Sequence, residues 1–213
     1  MEPTEENIRA WDAAHRTRAE PVALPVFVQR TLGDLKGKRV LHLLCGTGEA
    51  TAALAELGAV ATGVDPRTPA LEIARERWPK ILWVDGDPQS LPRQLRRGRF
   101  DLVYSGEGVV GGLVDLDAWA VGIAAALRAN GELLLFDDHP VADCVDGLLR
   151  WRSDYFRDPA DPDRLWRMGQ VVSALARAGL RVAALEEYPG GTSRRRHDRG
   201  IPATFLLYAR RSG

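Results

Sequence analysis

The stretch VLHLLCGTGEATAALAELGAVATGVD, residues 40–65, decides the fold. It opens on an apolar run and turns at Gly46 and Gly48. Ala50, Ala53, Leu54 and Leu57 then recur at helical spacing, Gly58 stops the helix, and a second apolar run ends in Asp65. This order predicts a strand, a tight turn, a helix and a second strand, the unit from which parallel sheets are built. Gly46 and Gly48 let the backbone turn sharply and let a ligand lie against main-chain atoms where a Cβ would collide. Asp65, closing the second strand, offers two acceptor oxygens that suit the vicinal hydroxyls of a ribose. The segment therefore points to a nucleoside-containing ligand at the reversal of strand order.

The same grammar continues outward. Apolar runs at 40–44, 60–64, 81–84, 100–104 and 133–136 read as five strands, nearly continuous in hydrophobicity because parallel strands are covered on both faces. Leu116, Trp119, Ala120, Ile123 and Leu127 fall at helical spacing before a turn at Asn130-Gly131. Beyond Asp137 the pattern predicts a helix over 141–150, a DPADPD loop, and a helix over 163–178 that Gly179 terminates. Strands at 181–188 and 203–209 have only a Gly/Arg-rich loop between them and should pair antiparallel. Upstream, 5–20 reads as an amphipathic helix and 25–32 as another. We expect one domain over 1–213, divided into a helical cap (1–36), a cofactor-binding core (37–138) and an acceptor-side portion (139–213).

Composition narrows the function. With Lys plus Arg and Asp plus Glu both at 29 and a pI near 6.9, no global positive field would draw in nucleic acid or an anionic membrane. The N-terminus lacks a basic region followed by an apolar one, and the apolar runs are strand-sized, so a cytoplasmic protein without a membrane span is expected. Cys45 and Cys144 stand far apart without ligand-spaced partners, which predicts reduced thiols rather than a disulfide or a structural zinc site.

A dinucleotide site needs G-x-G-x-x-G. Here Thr51 holds the third glycine position, and Glu49 adds a carboxylate in the first helical turn, so NAD is disfavoured. The segment instead resembles the glycine-rich first motif of class I S-adenosylmethionine (SAM)-dependent methyltransferases. The likeness continues through Gly63-Val64-Asp65, LEIARERW at 71–78, Gly86-Asp87, FDLVYSGEGV at 100–109 and LRANGELLLFDDHP at 127–140. The resemblance implies an α/β, Rossmann-like, doubly wound seven-stranded sheet of order 3-2-1-4-5-7-6, its last strand antiparallel, with an N-terminal helical extension. It also implies SAM as methyl donor and S-adenosylhomocysteine (SAH) as product. By that likeness Gly46 and Gly48 cradle the methionine portion, Asp65 takes the ribose and Asp87 meets the adenine amino group. His42, Cys45, Pro66, Pro88, Ser105 and Gly106 complete the cofactor-side positions. The chain departs from the family at His42, where an acid is usual, at Leu44, where the first glycine is usual, and at Pro88, which has no N–H to offer adenine.

For the second substrate, His139 after the fifth strand is the first candidate base, ahead of His15 and Glu107. Its alternative is a turn histidine before Pro140. Likewise His42 is either a core histidine or a ligand contact, and Cys45 reads as a packed thiol rather than a nucleophile. Asp137, Asp138 and Glu107 invite a metal but lack a further matching ligand, so no metal is assigned. The runs Arg93, Arg96, Arg97, Arg99 and Arg194, Arg195, Arg196, His197, Arg199 could touch phosphate, yet neither is interleaved with aromatics. Trp151, Tyr155, Phe156 and Trp166 fall where they could cap an acceptor pocket. The reading is methyl transfer to a small molecule by in-line displacement. Its alternatives are an RNA or protein methyltransferase and a non-catalytic SAM- or SAH-binding relative.

Overall fold

Strands that are apolar along their whole length need cover on both faces, and the computed structural model provides it. It describes residues 24–106, 108–145, 150–157, 165–189 and 201–213. In chain order the elements are α1 (Val26–Leu32), β1 (Arg39–Leu43), α2 (Glu49–Glu56), β2 (Val60–Asp65), α3 (Thr68–Arg77), β3 (Leu82–Asp85) and β4 (Phe100–Gly106). There follow α4 (Val109–Gly112), α5 (Leu116–Ala126), β5 (Leu127–Asp138), a 3-10 turn (Pro140–Cys144), α6 (Met168–Arg177), β6 (Leu180–Tyr188) and β7 (Thr204–Arg211). The seven strands form one sheet of order β3-β2-β1-β4-β5-β7-β6. β1 to β5 are parallel, and β7 runs antiparallel to both of its neighbours.

Strand alternation sorts the core into two layers. Leu41, Leu43, Val103, Leu133 and Leu135 face α5 and α6, whose Trp119, Ile123 and Leu175 are fully buried. Val40, Leu102, Tyr104, Leu134 and Phe136 face the opposite way, against Val28, Leu32 and Leu35 from the α1 region and Leu54 of α2. A smaller cluster of Leu71, Ala74 and Trp83 seats α3 on that second face. Burial of each large apolar side chain stabilises the fold by about 1.5–3 kcal/mol before conformational entropy is charged against it.

Several expected boundaries move. Leu127 belongs to β5 rather than to the preceding helix, because it pairs with Phe100 before the register shifts to Leu102 opposite Glu132. Of the helix expected over 141–150, residues 146–149 lie outside the described residues, and the described part is a 3-10 turn that ends at Cys144. The carbonyl of Cys144 accepts from Arg152 and Ser153, and Val145 bridges to Trp151, which folds the chain back on itself. The helix expected to start at 163 begins at Met168, although Gly179 ends it as predicted with φ 82°. The helix expected over 5–20, the DPADPD loop, Glu107, His15 and the 194–199 arginine run lie outside the described residues.

Candidate cofactor site

The chain runs from β1 to β2 and β3 on one side and then crosses to β4 on the other, so the sheet reverses its order between β1 and β4. At such a reversal a crevice opens beyond the carboxyl ends of the strands. The pairing register brings the cofactor-side positions to that edge. Asp65 pairs with Asp85, the N–H of Gly86 donates to the carbonyl of Asp65, Cys45 donates to Val64, Leu43 pairs with Ser105, and Gly106 with Phe136.

The turn after β1 keeps the geometry of a glycine-rich loop even where the glycine is missing. Leu44 has φ 52°, one of two non-glycine residues with positive φ among those described. Holding an L-residue there costs roughly 1–2 kcal/mol, offset by packing of its half-buried side chain on the main core. Gly48 and Gly63 are also demanded by a neighbour on the sheet. A Cβ on Gly48 would lie 2.7 Å from Cη2 of Trp83, and one on Gly63 would lie 2.5 Å from Cε3 of the same indole and 2.8 Å from Cys45 Sγ. The indole is fixed in turn by a hydrogen bond from its Nε1 to the carbonyl of Trp78.

Asp65 is fully buried. Its Oδ2 accepts from the N–H of Gly46 at 2.8 Å and its Oδ1 from the N–H of Arg67 at 2.9 Å, ties that join the glycine turn to the start of α3. The Arg67 guanidinium completes the set, with Nε 3.1 Å from Oδ1 and Nη2 3.5 Å from Oδ2. Glu49, expected to repel a diphosphate, is compensated: Arg77 donates to Oε1 and Thr47 to Oε2, each at 2.5 Å. Charge at Glu49 is therefore a weaker argument against a dinucleotide than its sequence position implied; Thr51 in the third glycine position remains.

His42 sits inside the second layer, 4% exposed. Its Nδ1 lies 2.7 Å from Thr51 Oγ1 of α2, and its ring centroid is 5.0 Å from that of Tyr104. Burial pushes its pKa down to about 3, so the ring is neutral at all ordinary pH. Cys45 is buried, and both burial and the nearby Asp65 carboxylate hold its thiol well above the usual range, which leaves it unreactive. Half-buried Asp87 accepts from the N–H of Gln89, Pro88 beside it is buried, and Pro66 is exposed at the turn after β2. Ser105 is fully buried at the end of β4, and its Oγ has no hydrogen-bond partner among the described residues.

The carboxyl end of β5 is held by Asp137 and His139. Asp137 is buried and accepts from the N–H groups of Gly108 (2.5 Å), Val110 (2.8 Å) and Asp138 (2.8 Å), fixing α4 to the end of β5. Burial outweighs these donors and raises its pKa to about 6. His139 caps the 3-10 turn, its Nδ1 accepting from the N–H of Val141 at 3.1 Å. Nε2, which carries the proton in the neutral ring, stands 2.8 Å from Glu187 Oε1, an ion-pair distance rather than an aligned hydrogen bond. Burial lowers its pKa more than Glu187 raises it. The one lone pair a base would use is thus engaged by the backbone. Among the described residues no three His, Cys, Asp or Glu side chains cluster to hold a metal.

Two participants were not singled out from sequence. Arg67 follows Asp65 by two residues, a spacing at which an Asp commonly bonds the backbone ahead of it. Gln89 carries no such signal: its Oε1 accepts from Val114 and Asp115, tying the loop after β3 to the start of α5.

These features suit SAM. A buried carboxylate ends β2, an orphaned hydroxyl ends β4, and the turn between lies at the sheet's reversal. Comparison with known proteins agrees. Residues 40–131 match a family model described as a methyltransferase domain. An uncharacterised methyltransferase of Synechocystis is 29% identical over 160 residues, 73% of each chain. A ubiquinone biosynthesis O-methyltransferase of Bradyrhizobium diazoefficiens is 35% identical over 107 residues, which span 50% of this chain and 42% of that one. The crystal structure of a SAM-dependent methyltransferase from Mesorhizobium loti has the same fold, with a TM-score of 0.71 at 23% identity over 87% of this chain and 96% of that one. The fold and the edge site define a nucleoside-binding α/β protein of the Rossmann-like kind. Within that class, the methyltransferase-domain match over residues 40–131 and the likeness to methyltransferases support the class I SAM-dependent methyltransferase superfamily, with SAM as cofactor.

Proposed function

We propose that this methyltransferase acts on a small apolar or aromatic molecule at the carboxyl edge of β5. The observation that carries this reading is the pair Trp151 and Phe156, 68% and 70% exposed in the segment that follows the 3-10 turn. Large aromatic faces left open beside a cofactor crevice suit a planar ligand. Tyr155 stands edge-on to Phe156, and the Arg167 guanidinium lies 5.3 Å over that ring, so the cluster is held in place. The local likeness to ubiquinone biosynthesis O-methyltransferases fits such an acceptor. By contrast, the exposed cluster Arg93, Arg96, Arg97 and Arg99 lies in the loop that leads into the amino end of β4, Arg99 directly before it, which does not favour an RNA acceptor at the crevice.

Bound SAM supplies an electrophilic methyl on a sulfonium. Asp65 would hold the ribose, Asp87 the adenine side, Ser105 Oγ a polar atom of the cofactor, and the turn at Gly46 the methionine portion. Placing donor and acceptor in line supplies much of the acceleration without an acid or base. His139 enters this reading as a positioning residue that shapes the turn, and Asp137 holds α4 beside it. Both cysteines are free and buried, and no described helix is long and apolar enough to cross a membrane; we place the reaction in the cytoplasm.

Calorimetric titration with SAM, SAH and NAD, followed by a small-molecule acceptor screen read by mass spectrometry, tests the proposal. Binding of SAM and SAH but not NAD, and a methylated small product, are expected. Methylation of RNA or protein alone would overturn it. Asp65→Ala should weaken cofactor binding by about 1.5–3 kcal/mol for each charge-assisted bond lost, at most. Unchanged affinity in that variant would remove Asp65 from the ribose site.

A further inference from the structure

We infer that the Arg67 guanidinium is an internal stand-in for the ribose diol, occupying the acceptor positions on Asp65 that the cofactor needs and leaving when the cofactor binds. This rests on the reading of Asp65 as the ribose acid. A carboxylate offers about four lone-pair positions, two on each oxygen. In this protein two are taken by backbone donors that no ligand displaces, Gly46 N–H on Oδ2 and Arg67 N–H on Oδ1. The guanidinium fork takes the other two, Nε on Oδ1 and Nη2 on Oδ2. A vicinal diol presents the same pattern, one donor to each oxygen, so diol and guanidinium compete for the same positions.

The arrangement has a physical reason. Asp65 side-chain exposure is 1%, and a buried carboxylate left half-satisfied is strongly unfavourable. Arg67, at 28%, is the exposed partner, so its head can turn outward while its backbone N–H stays on Oδ1 and keeps the start of α3 in place. The closed guanidinium thus holds the acid ready in the empty protein, and apparent affinity falls by the fraction of molecules in which the fork is open.

The test is calorimetric, on the full chain. Arg67→Ala should bind SAH roughly 3- to 30-fold more tightly than wild type, the factor by which closure lowers the competent fraction. Arg67→Lys, a point charge that cannot fork, should fall between them. Raising salt from about 20 mM to about 0.5 M should tighten SAH binding to wild type and leave Arg67→Ala unchanged, because only the wild type has an ion pair to screen. In competition against SAH, Arg67→Ala should gain affinity for adenosine and not for 2′,3′-dideoxyadenosine, a readout that a purely structural role would not move. Unchanged or weaker SAH binding in Arg67→Ala, or an equal gain for both nucleosides, overturns the inference. The underlying reading fails separately: Asp65→Ala retaining the wild-type preference for adenosine over the dideoxy compound would remove the ribose acid itself, whatever Arg67 does.

Discussion

On the cofactor side of the carboxyl edge, between β3 and β1, polar groups find partners close in sequence or one strand away. Asp65 is met by Gly46 and Arg67, Glu49 by Thr47, Asp87 by Gln89. From the end of β5 to α6, the near partners Asp138 and Val141 are joined by others from distant segments. Asp137 is met by Gly108 and Val110, His139 approaches Glu187, and Trp166 Nε1 donates to the carbonyl of Leu113. The first half is written as a motif and can be read as one. The second is assembled only when α4, α6 and β6 arrive, so its residue types say little until the chain has folded.

Three experiments sharpen that contrast. The largest effect is expected from Gly63→Val, which drives a side chain into Trp83 and Cys45 on the cofactor side. The indole cannot retreat, being bonded to Trp78 and packed on Leu71 and Ala74, so urea unfolding should register a loss of about 3 kcal/mol or more. Adding Trp83→Leu should recover most of it; failure to recover would mean that another contact demands the glycine.

On the acceptor side, Asp137 holds a carboxyl whose folded pKa is raised to about 6 from 3.8. Between these values the folded protein keeps a proton that the unfolded chain has released. Stability should therefore fall as pH rises through this window and level off above it, by about 3 kcal/mol at most. Asp137→Asn removes the titration, and the difference between the wild-type and variant stability curves should show that slope. Parallel curves from pH ~4 to pH ~6.5 would mean the three backbone donors keep Asp137 ionised throughout.

The smallest effect inverts a usual order. At Leu44, with its positive φ, Leu44→Gly should be less destabilising than Leu44→Ala by about 1 kcal/mol, since both lose packing and only glycine relieves the backbone. Thermal unfolding of the two variants decides it. If alanine is the better substitute, the turn relaxes once the leucine is gone.

The order of elements from β1 to β5, the glycine turn and the acid that closes β2 are legible in the amino-acid sequence. These follow from periodicity and from backbone conformations that few residues adopt, both local properties. The antiparallel pairing of β6 and β7 was legible for a similar reason, the lack of a crossover helix between them. Tertiary structure alone decided the rest. At Val145 the expected helix gives way to a bridge with Trp151, a contact that overrides propensity. The cap that His139 makes to Val141, its approach to Glu187 and the guanidinium fork on Asp65 are all set in space. Protonation and hydrogen-bond partnership depend on burial and on neighbours in space, which residue type and spacing do not encode.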